Sequence, residues 1–109
     1  MLPNDRTMGA NTYTLVVREA SSHDAVDADI LDEDGFVETA RQFSYGDYGV
    51  RAEREDDRPE RIEEEFTVDA TSVDIRLDRD GHTFAFRAIV DDEEAARVEV
   101  ADADWDLRD

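Results

Sequence analysis

The sequence predicts a mainly β fold, an antiparallel meander of six to eight strands forming a small barrel or sandwich. Three observations carry that prediction. Apolar and polar residues alternate with period two in short runs along most of the chain. Asp-Gly pairs and short acidic segments separate the runs, as turns do. No long stretch has helical periodicity.

A chain of 109 residues is the size of one domain. Residues 1–11 read as a flexible N-terminal tail, with Met8 an alternative start, and residues 12–109 as a single β domain. Tyr13, Leu15 and Val17 alternate with Thr12, Thr14 and Val16, giving the first strand. Val26, Ala28 and Ile30 alternate with Asp27 and Asp29, giving the second. Asp34-Gly35 signals a hairpin into Phe36 to Tyr45. Phe36, Val37, Ala40 and Phe43 also fit helical spacing, but β-branched and aromatic enrichment after an Asp-Gly favours a strand. Tyr48, Val50 and Ala52 make a further strand. After a polar turn at Asp57-Arg58-Pro59, Ile62, Phe66 and Val68 resume the pattern.

Ser72 to Val90 is the most legible segment. Taking Asp80-Gly81 as a two-residue type I′ loop sets Leu77 against Phe84, Ile75 against Phe86 and Val73 against Ala88. A three-residue loop at Asp92-Glu93-Glu94 then sets Val90 against Ala96, Ala88 against Val98 and Phe86 against Val100. On the opposite face the same registers predict a ladder of alternating charge, Asp74–Arg87–Glu99. Beyond Val100 the phase changes through Ala101, Ala103, Trp105 and Leu107, which predicts a bulge or a crossing onto another surface.

The net charge is −19, every basic residue is arginine, and aspartate outnumbers glutamate. Such charge opposes the compact state in dilute buffer. Above about 1 M salt the screening length falls to about 3 Å and most of that repulsion disappears. In composition, though not in family, the chain resembles proteins of salt-in extreme halophilic archaea, which implies a fold stable only at high salt. The acids are spread along the chain, which favours salt adaptation over a dedicated acidic surface such as a nucleic-acid mimic. Leu, Ile, Val and Phe make up 24 of the 109 residues, close to the content at which highly charged chains stay unfolded. Pairing that satisfies both faces of a meander argues for a folded domain. Without cysteine there is neither a disulfide framework nor a thiolate metal site. No apolar run spans a membrane and the first residues lack a secretory apolar stretch, so a cytoplasmic protein is expected.

Motifs for chemistry fail on inspection. Fitting an EF-hand loop to Asp32-Glu33-Asp34-Gly35 puts Ile30 and Arg41 where oxygen ligands must stand, and fitting one to Asp78-Arg79-Asp80-Gly81 puts Arg76 and Arg87 there. Nonspecific cation binding by the acidic surface is expected, without a defined metal site or cofactor. His23 and His82 lack a second donor at ligand spacing, and Ser21-Ser22-His23-Asp24 lacks a nucleophile-elbow pattern. Arg51, Arg54, Arg58 and Arg61 align on a helix, but Pro59 interrupts it and acids lie among them, which speaks against nucleic-acid binding. The candidate partner contacts are Tyr45 and Tyr48, in the run Gln42 to Gly49, and Trp105; the alternatives make Phe43 and Tyr48 core rings and pack Trp105 across the sheet end. Three function classes follow: a non-enzymatic protein-binding or regulatory module, a structural subunit of a viral or cell-envelope particle that self-associates through an edge strand, and a small-molecule binder or enzyme using a barrel interior.

Overall fold

The period-two alternation becomes two antiparallel sheets facing each other across one core. The computed structural model describes residues 10–20, 24–52, 61–69, 72–105 and 107–108. Most of the segment read as a tail, Ser21, Ser22, His23, Arg54 and the Asp57-Arg58-Pro59 turn lie outside these residues. Strands β1 (Ala10–Glu19), β2 (Ala25–Leu31), β3 (Val37–Ser44), β4 (Arg51–Ala52) and β5 (Arg61–Asp69) come first. They are followed by β6 (Val73–Asp80), β7 (Thr83–Val90), β8 (Glu93–Ala101) and β9 (Leu107–Arg108). One sheet has the order β3-β2-β1-β5, the second is the meander β6-β7-β8, and β4 pairs with β9 as a short ribbon. Among the described residues nine strands thus form, two of them only two residues long, and no barrel closes. β1 begins at Ala10, so Ala10 and Asn11 belong to the sheet rather than to a tail.

Leu15, Val17, Ala28 and Ile30 of the first sheet are buried in one cluster with Ile75, Phe86, Ala88 and Val100 of the second. Each large side chain so enclosed is worth about 1.5–3 kcal/mol of transfer free energy. Phe43 and Phe86, 6.0 Å apart, tie the sheets together, and Tyr13 stacks on Phe66 within the first sheet at 5.7 Å. Phe36 to Tyr45 is chiefly strand, as the β-branched and aromatic residues favour, but β3 is exposed along most of its length. At the side of the sandwich, Arg41 of β3 donates to the carbonyl oxygen of Ile75 at 3.1 Å and lies 3.7 Å from Asp74.

The meander forms on the predicted faces with both registers moved by two residues. Asp80 pairs with Thr83, so the first loop is Gly81-His82 rather than Asp80-Gly81. Leu77 therefore opposes Phe86, Ile75 opposes Ala88 and Val73 opposes Val90. Positive φ falls on Gly81 (61°), the first central position, where a type II′ turn requires it. The type I′ pattern instead occurs at Asp91 (49°) and Asp92 (73°), between β7 and β8. Phe84, Phe86 and Ala88 then oppose Val100, Val98 and Ala96, with a register shift next to Ala88. A two-residue slip keeps every side chain on its face, so the apolar pattern cannot detect it.

The charge ladder does change. Arg76, Arg87 and Arg97 stand directly opposite one another, in place of Asp74–Arg87–Glu99. Diagonal acids offset that unfavourable line. Arg87 donates to Asp78 and Glu94, each at 2.8 Å, and Arg97 donates to Glu99 at 2.6 Å and Glu94 at 3.2 Å. The Arg87 hydrogen bond, helped by Arg97 and opposed by desolvation, holds the Glu94 carboxyl below its ordinary range.

Two further segments differ from the alternation. Tyr48-Val50-Ala52 is not a continuous strand: Tyr45–Tyr48 is a 3-10 turn, and only Arg51 and Ala52 extend, against Leu107 and Arg108. The C-terminal phase change is a second 3-10 turn, Asp102–Trp105, which turns the chain off the end of β8 and carries Trp105 into the core.

Candidate protein-contact surface

At the end of the sandwich where β1, β3 and β8 finish, the rings named as partner contacts pack inward. Tyr45 and Trp105 are each 3% exposed, and Tyr48 is half-buried. Backbone geometry puts Tyr45 there: its N–H donates to the Asp24 carbonyl at 3.0 Å as the chain leaves β3. Its ring lies 6.4 Å from Phe84, and the Tyr48 ring meets Phe84 edge-on at 5.4 Å. Trp105 thus packs inward as its alternative reading had it, and Tyr45, for which the sequence suggested only a contact role, is buried as well.

Two polar contacts close the same end. The Tyr45 hydroxyl donates to Glu19 Oε2 at 2.6 Å, and Glu19 is 1% exposed. Arg79 lies over the Phe84 ring at 4.2 Å and donates to both Asp102 oxygens, at 2.6 and 2.8 Å. These two hydrogen bonds hold the Asp102 carboxyl below the ordinary aspartate range, while burial pulls the other way. The exposed His82 ring has Nδ1 3.6 Å from Asp102 and adds a smaller downward push. The sequence carries a signal for this pair. Arg79 continues the inward phase of Val73, Ile75 and Leu77, and Asp102 continues that of Ala96, Val98 and Val100. Opposite charges at the ends of two inward-facing runs are expected to meet.

The other end of the sandwich has a different surface. Between β2 and β3, Asp32 Oδ1 accepts hydrogen bonds from the backbone N–H groups of Asp34 and Phe36, both at 2.9 Å. The Asp32 N–H in turn donates to the Phe36 carbonyl at 2.8 Å, and Gly35 takes φ = 86°. Glu33 reaches sideways to accept from the Thr12 N–H at 3.0 Å. This wound loop leaves Phe36 70% and Val37 57% exposed, the large hydrophobic residues most open to solvent among the described residues. The strand expected over Phe36 to Tyr45 leaves their exposure open, because alternation identifies apolar residues without showing what covers them.

Past the tip, β3 carries one acid, Glu38, and one base, Arg41. The other sheet edges are charged. β5 holds Glu63, Glu64, Glu65 and Asp69 against Arg61, and β8 holds Glu93, Glu94 and Glu99 against Arg97. β6 holds Asp74, Asp78 and Asp80 against Arg76 and Arg79.

Shallow cavities at this end, of about 190 and 330 Å³, are rimmed by Asp32, Glu33, Asp34 and Glu38 in one case and by Asp69, Asp91, Glu93 and Glu94 in the other. Among the described residues, no group of three or more His, Cys, Asp or Glu side chains is placed to hold a metal ion. No helix among them is long and apolar enough to cross a membrane. Among the described residues the sheets do not close into a barrel, and Leu15, Ile30 and Phe86 fill the space between them. No protein-family model, curated protein or solved structure matches the chain.

Proposed function

We propose that this chain is a non-enzymatic protein-binding or regulatory module of a salt-accumulating cytoplasm, and that its contact surface is β3 with the Phe36–Val37 tip. The observation carrying this reading is the exposure of those two side chains, where the other large apolar groups among the described residues are buried or half-buried. Rings and branched side chains held out on a braced turn give contact area at low entropic cost. Aspartate-rich, lysine-free composition and a charge of −19 support the salty environment, and that charge disfavours nucleic acid as the partner.

The test compares the chain with its Phe36→Ser/Val37→Ser variant by co-purification from lysate at salt above about 1 M, where surface charge is screened. A defined set of proteins retained by the chain and lost by the variant, at unchanged melting temperature, supports the reading. An identical set in both rejects it. Circular dichroism across a salt series checks the environment: the structure should melt lower, or fail to form, as salt is removed. Full β structure with an unchanged melting point in salt-free buffer rejects salt adaptation.

The open edge of β3 favours a second reading, an assembly subunit that self-associates strand to strand.

A further inference from the structure

We infer that the partner of this surface is a second copy of the same chain, joined antiparallel through β3 so that the four-stranded sheet continues from one copy into the next. The inference rests on β3 and its tip being the contact surface. β3 pairs with β2 along one side, and among the described residues its other edge has no backbone hydrogen-bond partner. Val37, Glu38, Ala40, Arg41, Gln42 and Ser44 are all exposed. Such an edge is a template for another strand unless charge, proline or a covering element blocks it.

Charge selects the occupant. A basic partner would be drawn to the acidic rims around Asp32 and Asp91, not to β3. A partner that shares the charge of −19 can approach only where like charges do not meet. Of the strands at the sheet edges, β3 alone carries equal numbers of acids and bases. The strand is also self-complementary. A two-fold axis through Ala40 sets Ala40 against Ala40 of the second copy, Arg41 against Thr39, and Glu38 beside Gln42, so no like charges face each other. The same axis brings the Phe36–Val37 tip to the far end of the neighbouring strand, near Phe43, and does so twice by symmetry. Moving the axis to Arg41 would oppose two arginines. The contact is isologous and closes at two copies, and the charged edges of β5, β6 and β8 resist further growth.

The absence of cysteine makes the test direct. Ala40→Cys places one thiol at the proposed axis, where directly opposed Cα atoms lie about 4.5–5.5 Å apart, within reach of a disulfide. Glu65→Cys on exposed β5 is the control, and both variants are checked for native circular dichroism. Above about 1 M salt, light scattering should give the unmodified chain the mass of a dimer. On mild oxidation, Ala40→Cys should crosslink faster than Glu65→Cys by about tenfold or more, because a formed contact supplies an effective concentration in the mM range. Phe36→Ser/Val37→Ser should shift the mass towards monomer. A monomeric unmodified chain, or equal crosslinking of the two cysteine variants, overturns the inference. If the chain is monomeric and the serine variant still loses captured proteins, self-pairing alone has failed and the contact surface stands. If no capture and no mass depends on Phe36 and Val37, the contact surface itself has failed.

Discussion

Where β1, β3 and β8 finish, Tyr45 and Trp105 turn inward and two carboxylates go in with them; where β2 turns into β3, a phenylalanine and a valine are held out in water. Both ends are made by short turns in a strongly acidic chain. Their difference lies in what the turn hydrogen-bonds to. Tyr45 is anchored by its own N–H to Asp24, a residue at the start of the neighbouring strand, so its ring is drawn across the sandwich mouth. Phe36 is anchored within its own loop, through Asp32, and no neighbouring strand among the described residues draws its ring inward. The first end also shows how this chain buries charge. Glu19 goes in with the Tyr45 hydroxyl and Asp102 with a bidentate arginine, so neither carboxylate is left bare in a medium where that would cost several kcal/mol.

If the aromatic end is the lock and the hairpin tip is spare surface, substitutions should divide sharply between them, all measured by denaturation at fixed salt. The largest effect is expected for Trp105→Ala, which should cost about 3–5 kcal/mol by emptying a buried ring site. A loss below about 1 kcal/mol would mean the core does not depend on the second 3-10 turn. Asp102→Asn comes next, at about 2–3 kcal/mol, because the largely buried Arg79 guanidinium loses the carboxylate charge that accepts its two hydrogen bonds. The Asp102 carboxyl titrates lower in the folded state than in the unfolded chain. Its contribution is therefore fully present above the unfolded value, near pH 4, and disappears as pH falls through the lower folded value. The asparagine variant should show a shallower acid loss than the parent over that window, and parallel curves would remove Asp102 as the cause. Tyr45→Phe should cost about 1–2 kcal/mol by withdrawing a donor from buried Glu19.

At the other end the effects should be smaller. Gly35→Ala meets no steric obstacle, since no atom lies within 4 Å of the added carbon, but φ = 86° is unfavourable for an L residue. A cost of about 1 kcal/mol is expected from the backbone alone. Phe36→Ser should change stability by less than about 0.5 kcal/mol while altering self-association. A larger loss of stability would show that the tip is structural, and the contrast between the ends would collapse.

Much of this was readable before any fold was known, and the limits of that reading are physical. Which face each residue of β1, β2, β6, β7 and β8 occupies follows from a period of two, a local property of an extended chain. The existence and order of those strands follows from the same pattern and from the turn residues between them. Which residue stands opposite which does not follow, because registers two residues apart bury the same side chains. The choice between them was made by turn conformation, with Gly81 rather than Asp80 opening the first loop and Asp91-Asp92 making the second. The ladder expected at Asp74, Arg87 and Glu99 failed for that reason alone. The fates of Tyr45, Trp105, Phe36 and Val37 were further still from the sequence. Burial is set by what arrives from distant parts of the chain, here Phe84 across the sandwich for Tyr45 and, among the described residues, no covering strand for Phe36. Alternation in the chain thus accounts for a β-sandwich with an acidic exterior, whereas long-range packing chose which of its few large apolar side chains would be left in water.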